Sequence, residues 1–378
     1  MKIPFNRPYT TGKEIQNIKH AIKNGHLSGN GNYTKMCHDF FKTKYGFKKT
    51  LLTTSCTDAL EMCAILLEIK PGDEIIVPSY TFVSSALAFV RQGAKIIFAD
   101  SSPDNPNIDV TKVEKLINSR TKAIVCVHYA GVAVDMNYLM NIANKYKLFV
   151  VEDAAQSIDS FYKTKPLGTI GHLSTFSFHE TKNINSGEGG LLAINDSRFI
   201  KRAEIIWEKG TNRTSFFKGE VNKYGWKDIG SSFLPSEIVA AFLYAQLLNL
   251  DDIQNRRKYL WQKYYDFLHP ISGNVGIKLP FIPDFSTNNA HMFYLVCNSI
   301  EQRSTFISHL KKNGIHAVFH YQSLHKSDYY KHKYKDVNLE LPYSDLYSDR
   351  LVRLPLYYEL SDDELNFIIK VIIDFIKK

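Results

Sequence analysis

The segment SFHETKNINSGEGG (residues 177–190) sets Lys182 in a polar turn, after the short apolar run Leu173–Phe178 and before a glycine-rich return. Upstream, the apolar run LFVV (Leu148–Val151) ends in Glu152-Asp153, followed by Ala154-Ala155-Gln156. An amine after one strand and a carboxylate at the end of another are the two groups that pyridoxal 5′-phosphate (PLP) chemistry needs. The lysine forms a Schiff base with the aldehyde, and the carboxylate keeps the pyridine nitrogen protonated so that the ring can draw electrons. A loop lysine alone is an ordinary solvated charge, so the reading rests on its surroundings.

Those surroundings supply further groups. In SCTDALEM, Cys56 and Thr57 open a helix directly after a strand, where free backbone N–H groups and the helix dipole attract a phosphate; an ordinary Ser/Thr cap is the plain alternative. PSYTFVSSA places Tyr80 and Phe82 just beyond the strand EIIV, where an aromatic ring can stack on a flat cofactor. Asp153 is the candidate for the pyridine nitrogen and Gln156 for the ring hydroxyl. A carboxylate ending an apolar strand is costly to bury unpaired and implies a cationic partner. Glu152 faces the other way along the strand and reads as structural. Ser177 could donate to the phosphate, and partial desolvation would lower the Lys182 pKa as a nucleophile and base requires. His128 and Tyr129, after AIVCV, are further candidates to face the site.

Seven short β-rich runs position these groups: Leu51–Thr54, Glu74–Val77, Lys95–Phe98, Ala123–Val127, Leu148–Val151, Thr175–Phe178 and Leu191–Ile194. Between most of them lie segments with apolar residues at helical spacing. This alternation predicts an α/β fold with a mainly parallel seven-stranded sheet covered on both faces, its ligands beyond the carboxyl ends of the strands. Helical patterns also cover Lys13–Lys23, Ser197–Lys209 and Pro235–Leu268. From about residue 275 the pattern changes to shorter strands (Met292–Val296, His316–Phe319) and helices (Arg303–Lys312, Asp362–Lys377). The expected division is a large domain over residues 1–250, including the N-terminal helical segment, and a smaller α+β domain over residues 251–378.

Composition narrows the function classes. Among 378 residues, 44% are hydrophobic and 22% charged, enough apolar material for a sizeable core. The apolar stretches Phe233–Leu250 and Phe367–Ile376 are interrupted by polar residues and read as amphipathic helices rather than membrane spans. MKIPFNRPYT has no apolar core of a signal peptide, so a cytoplasmic location is expected. Five scattered cysteines without CxxC spacing favour free thiols in a reducing compartment. The net charge of +9 is spread along the chain; it suits an anionic small molecule better than nucleic acid. No P-loop is present, and the spacing of His316, His320 and His325 fits no zinc motif, so neither an ATPase nor a metal site is expected.

Taken in order, SCTDAL, PSYTFVSS, VHYAG, VVEDAAQS, FSFHETKN and GEGG closely resemble the DegT/StrS-type sugar aminotransferases, over nearly the whole chain. The resemblance implies a fold-type I PLP enzyme that acts on a nucleotide-linked keto sugar. By position it makes Lys182 the Schiff-base lysine, Asp153 the pyridinium partner, Gln156 the hydroxyl partner and Phe82 the stacking ring. Ser177, Cys56 and Thr57 become phosphate contacts. It also implies a homodimer in which a neighbouring loop completes the phosphate site. The matching segment here is GSSFLPSE (Gly230–Glu237), where Ser232 and Leu234 stand in place of the family's usual Asn and Arg, making Ser232 the candidate contact. A finer similarity, in SFHETKN, Glu208–Ser232 and AVFHYQSLH, points to the branch that moves the amino group of L-glutamate to C4 of dTDP-4-keto-6-deoxy-D-glucose for surface polysaccharides. The product configuration at C4 and a 3-keto acceptor stay open at this level. Dehydratase relatives carry His where this chain has Lys182, which weighs against that activity.

Overall fold

A computed structural model describes residues 2–273, 276–334 and 339–377. All seven expected strands form one sheet: β1 (Lys49–Thr53), β2 (Glu74–Pro78), β3 (Lys95–Ala99), β4 (Thr121–Val127), β5 (Phe149–Asp153), β6 (Leu173–Ser177) and β7 (Gly190–Ile194). The order across the sheet is β1-β7-β6-β5-β4-β2-β3. β7 runs antiparallel to both its neighbours, so β1 points the same way as the other five. The carboxyl ends of β1, β4, β5 and β6 therefore share one edge of the layer.

Side-chain alternation along the strands feeds two cores. Leu51, Ile75, Val77, Val125, Val151 and Leu192 point to one face, under α3 (Cys56–Leu66), α4 (Ser84–Val90) and α6 (Ile200–Trp207). On the opposite face, Ile76, Ile124, Cys126 and Val150 pack under α5 (Met136–Tyr146), whereas Leu52, Leu191 and Ala193 pack under α2 (Asn32–Tyr45) and α7 (Glu237–Leu248). A separate core gathers α8 (Leu250–Ser272), α9 (Ile300–Lys312), α10 (Asp362–Ile376) and a two-stranded antiparallel sheet of β8 (Phe293–Val296) and β9 (Leu351–Leu354). α8 bridges the two: Ile253 packs with the large-sheet side, Leu260 through Leu268 with the small core.

Three local expectations differ from the structure. The pattern over Pro235–Leu268 is two helices that break at Asn249, whose φ/ψ of −110°/12° leaves the helical region. α7 is not amphipathic; packed against both α1 (Glu14–Lys23) and α2, it buries Ala240, Ala241, Leu243, Ala245 and Leu247. His316–Phe319 is not a strand; it makes one bridge, Val318 with Arg353. Two further elements lie outside the expected ones: α2, although Tyr33, Met36, Cys37, Phe40, Phe41 and Tyr45 recur at helical spacing along it, and the four-residue β9.

α2 shows how distant residues finish local structure. Its N-cap is Gly31, which has no side chain to accept the orphan N–H groups. Glu237, the first residue of α7, does so instead: its buried carboxylate accepts from the N–H groups of Gly31, Tyr33 and Thr34 and from the Thr34 hydroxyl. Glu237→Gln turns an NH2 donor toward those donors. It should lower unfolding free energy by about 2–3 kcal/mol, read from denaturant titration.

Candidate active site

Lys182 lies in the loop between β6 and β7, half-buried. The loop closes on itself through Phe178 N–H to Gly189 C=O, Ser186 N–H to Phe178 C=O and Glu180 N–H to Gly187 C=O. Gly187 makes the turn at φ +76°. Asn183 pins the next residue, donating to Gln254 Oε1 at 2.7 Å and to the Asn289 carbonyl at 2.8 Å, and accepting from His291 Nδ1 at 2.8 Å. The Lys182 amine has no hydrogen bond or ion pair among the described residues. Burial pulls its pKa below the ordinary lysine value and Arg353 adds to this, against the opposing pull of Cys56 and Asp153.

Asp153 ends β5, beside Thr175 on β6 and Val127 on β4. Oδ2 accepts from Ser85 Oγ at 2.7 Å and Oδ1 from the Ala155 N–H at 3.2 Å. No ion pair reaches it among the described residues, and burial raises its pKa despite the two donors. The adjacent Glu152 is fully buried on the other face. Its carboxylate pairs with His128 Nε2 at 3.0 Å and accepts from the N–H groups of Gly168, Ile170 and Gly171. Burial alone would raise Glu152, yet these donors hold it below the usual carboxylate value. His128 thus serves Glu152 inside the fold and is closed off from the site, while Tyr129 lines it, donating or accepting at His320 Nδ1 across 2.7 Å.

At the neighbouring strand ends, Thr53, Gly190 and Ser177 form one row across β1, β7 and β6. A Cβ on Gly190 would sit 2.3 Å from the Ser55 carbonyl carbon and 2.4 Å from the Cys56 nitrogen, so only glycine lets the β1–α3 turn lie against the β7 strand. Ser55 caps α3 through the Asp58 N–H, leaving the N–H groups of Cys56 and Thr57 without a protein acceptor among the described residues. Thr57 Oγ1 lies 2.8 Å from Ser84 Oγ. Gln156 accepts the Ala130 N–H at Oε1 and offers Nε2 to the Tyr321 hydroxyl at 3.1 Å. Tyr80 is packed away at 1% exposure among Tyr129, Tyr321 and Tyr347, whereas Phe82 is 56% exposed, 6.0 Å from the Tyr321 ring and free to cover a flat ligand.

Lys182, Asp153, Cys56, Thr57, Phe82, Gln156 and Ser177 therefore gather at one edge of the sheet. Ser232 does not join them within one chain. It lines a cavity of about 1070 Å³ with Lys49, Trp207, Lys209 and Tyr224, although the next carbonyl, of Phe233, accepts the Thr54 N–H beside the α3 turn. Ser85, Tyr321, His291 and Arg353 were missed as site residues; the hydroxyl three residues after Phe82 was the one available signal, for Ser85. His320 and His325 do not converge: His320 meets Tyr129, and His325 Nδ1 meets Ser79 Oγ at 2.7 Å.

These residues fit PLP: among the described residues, a buried carboxylate has no ion-paired cation and could meet the pyridinium, an amine has no partner and could meet the aldehyde, and helix N–H groups without an acceptor could meet the phosphate. The architecture is that of fold-type I aminotransferases. Residues 8–373 match the DegT/DnrJ/EryC1/StrS aminotransferase family, and the chain belongs to it. It is 30% identical to the spore coat polysaccharide biosynthesis protein SpsC of Bacillus subtilis, across 99% of this chain and 97% of that one. Identity to GDP-perosamine synthase of Escherichia coli O157:H7 is also 30%, across 99% and 98% of the two chains. The PLP form of a protein from Streptococcus pneumoniae described as a sugar aminotransferase superposes with TM-score 0.90 at 25% identity, covering 100% of this chain and 99% of that one. PLP is the cofactor, and the activity is amino-group transfer.

The pKa directions predict opposite behaviour for fold and function at Asp153. A carboxyl whose folded pKa is raised above its unfolded value of 3.8 stabilises the fold below that value and loses the contribution as pH rises through the folded pKa. Cofactor-free Asp153→Asn should thus melt at or above the wild-type temperature at pH 8, with the difference shrinking toward pH 4. The cofactor-loaded variant should lose about 10²-fold or more in turnover. Calorimetry across pH and steady-state assays check the two halves.

Proposed function

We propose that this protein transfers the amino group of L-glutamate to C4 of dTDP-4-keto-6-deoxy-D-glucose, giving dTDP-4-amino-4,6-dideoxy-D-galactose and 2-oxoglutarate. The observation that carries the aminotransferase chemistry is the presence, at one sheet edge, of a Lys182 amine and an Asp153 carboxylate that make no ion pair among the described residues. The sugar substrate rests on FSFHETKN, GTNR and AVFHYQSLH, and it agrees in kind with relatives named for polysaccharide and perosamine synthesis. Such a product would feed a surface polysaccharide such as an O-antigen or enterobacterial common antigen.

The bound cofactor supplies an electron sink adjoining the carbon that loses or gains a proton. Asp153, its carboxylate fixed by Ser85, would hold the ring nitrogen's proton. Gln156 would meet the ring hydroxyl, Phe82 would cover the ring, and Ser177 with the α3 N–H groups would hold the phosphate. Lys182 would anchor the cofactor at rest and, once displaced, take the proton from Cα of glutamate, a role its lowered pKa favours. In the second half-reaction it delivers a proton to C4 of the sugar, and the face of delivery fixes the galacto configuration. In a homodimer, Ser232 of the partner subunit would complete the phosphate site.

Borohydride reduction of the loaded enzyme followed by peptide mapping should find the phosphopyridoxyl group on Lys182; another lysine would sink the assignment. Lys182→Ala should cut turnover by about 10³-fold or more. Incubation with glutamate and dTDP-4-keto-6-deoxy-D-glucose should give, by NMR, an axial amine at C4. An equatorial C4 amine would overturn the galacto product, and a product formed only from a 3-keto sugar would overturn the substrate.

A further inference from the structure

One turn ahead of the small sheet reaches into three loops at the active edge of the large one. It is Asn288-Asn289-Ala290-His291, which leads toward β8 and bends at Ala290 through φ +51°, a left-handed conformation unfavourable for alanine. Asn289 is fully buried. A Cβ on Gly131, after β4, would overlap its Oδ1, so glycine leaves room for this wedge. Asn289 Nδ2 donates to the carbonyls of Gln156 and Ile158, after β5, at 2.8 Å each. Its own carbonyl accepts from Asn183 Nδ2, after β6, at 2.8 Å. α8 braces the turn: Arg257 donates to the carbonyls of Ala290 and His291.

These partners fix the orientation of Asn183. A backbone carbonyl only accepts, so the atom facing Asn289 is the NH2 group, which also donates to Gln254 Oε1 at 2.7 Å. Asn183 Oδ1 therefore faces His291 Nδ1 at 2.8 Å, and the histidine must carry its proton there. Burial, with the charges of Lys182, Arg353 and Arg257, keeps the ring neutral, so Nε2 is bare. All three bonds of Asn183 go to segments outside its own loop. Lys182, the residue before it, has no such hold. Its amine ends a flexible four-carbon stem and makes no hydrogen bond or ion pair among the described residues.

We infer that Asn183, clamped by the turn at residues 288–291, is the positioning residue for the Lys182 amine in both proton transfers. While the amine is bonded to the cofactor, that bond fixes it. Once it is released, the backbone at residues 182–183 is what keeps it in reach of the reacting carbon, and an error of about 1 Å costs on the order of 10²-fold in rate. The clamp also sets a spacing. Asn289 holds the Gln156 backbone as well, and the ring hydroxyl proposed for Gln156 adjoins the carbon that carries the aldehyde. The inference rests on Lys182 as the cofactor lysine, which borohydride mapping decides separately.

Single turnovers of the PLP-loaded enzyme follow the two half-reactions one at a time. Asn183→Ala should slow the donor and sugar steps alike, by about 10²-fold each, with substrate affinity kept within about 3-fold. His291→Leu should slow both by about 10-fold, and His291→Asn, whose amide puts a donor where Nδ1 stood, should recover most of the loss. In a Lys182→Ala background assayed with methylamine as external base, Asn183→Ala should change neither step, because no tethered amine is left to position. Without cofactor, nitrogen-15 NMR of histidine-labelled protein should show His291 as the Nδ1–H tautomer, a preference that Asn183→Ala abolishes. Slowing of one step alone, a loss confined to substrate affinity, further slowing in the Lys182→Ala background, or the Nε2–H tautomer in cofactor-free wild type would each overturn the assignment. Should Asn183→Ala not fold, the two His291 variants and the wild-type tautomer still decide it. A wild type that rejects the 4-keto sugar would overturn only the acceptor proposed above, and the donor step, the methylamine comparison and the tautomer would still decide Asn183.

Discussion

Two neighbouring carboxylates on one strand meet opposite environments, and the site follows from that difference. Glu152 and Asp153 are both buried at the end of β5, on opposite faces. Glu152 is saturated by His128 and three backbone N–H groups and sits below its ordinary pKa. Asp153 receives a hydroxyl and one N–H and sits above its ordinary pKa. A fold selected for stability alone would satisfy both. Leaving Asp153 short of a cation is tolerable when a cationic ring nitrogen is to supply it. The saturated Glu152 contributes the rigidity, tying the β6 approach and the turn after β4 to the strand that bears Asp153.

The sheet order places the remaining groups around that deficit. With β7 reversed between β1 and β6, the chain leaves β6 at the active edge and re-enters through β7 from the same edge. The loop bearing Lys182 can therefore be short and closed by its own backbone. Because β1 runs with the others, α3 also starts at this edge, and the missing Cβ of Gly190 lets its first turn settle against β7. Nucleophile, pyridinium partner and phosphate helix come from separate stretches of chain, brought together by strand direction rather than by sequence proximity. This is the general placement of ligands at strand ends in open α/β sheets.

Most of the large sheet was legible because its strands are buried on both faces and read as near-continuous apolar runs. Asp153 was legible for a related reason, as a charge that ends an apolar run where nothing local calls for one, whereas Lys182, in a polar turn, was legible only from the motifs around it. What stayed hidden depends on contacts between distant segments. α2 has no cap in its own sequence, because Glu237 caps it from α7. Asn249 breaks a helical pattern whose periodicity continues on both sides. β9 escaped notice because Arg353 occupies one of its four positions, and strand patterning expects an apolar or weakly polar residue there. His128 was a candidate for the site, but its partner is Glu152 on the far face, a pairing that only the β4–β5 register decides.

The charges that remain inside the site divide its work. Asp153 is the buried anion, matched to the cofactor ring on the large sheet. Lys182 and Arg353 are the cations, one on the loop between β6 and β7 and one on the small sheet, with tyrosines and histidines near them. Two cations facing each other across a neutral pocket repel, which lowers the pKa of the titratable one. Arg353 cannot give up its proton at neutral pH, so the adjustment falls on Lys182. Burial is the larger cause of the lowered Lys182 pKa and the Arg353 charge adds to it, while Cys56 and Asp153 pull the other way.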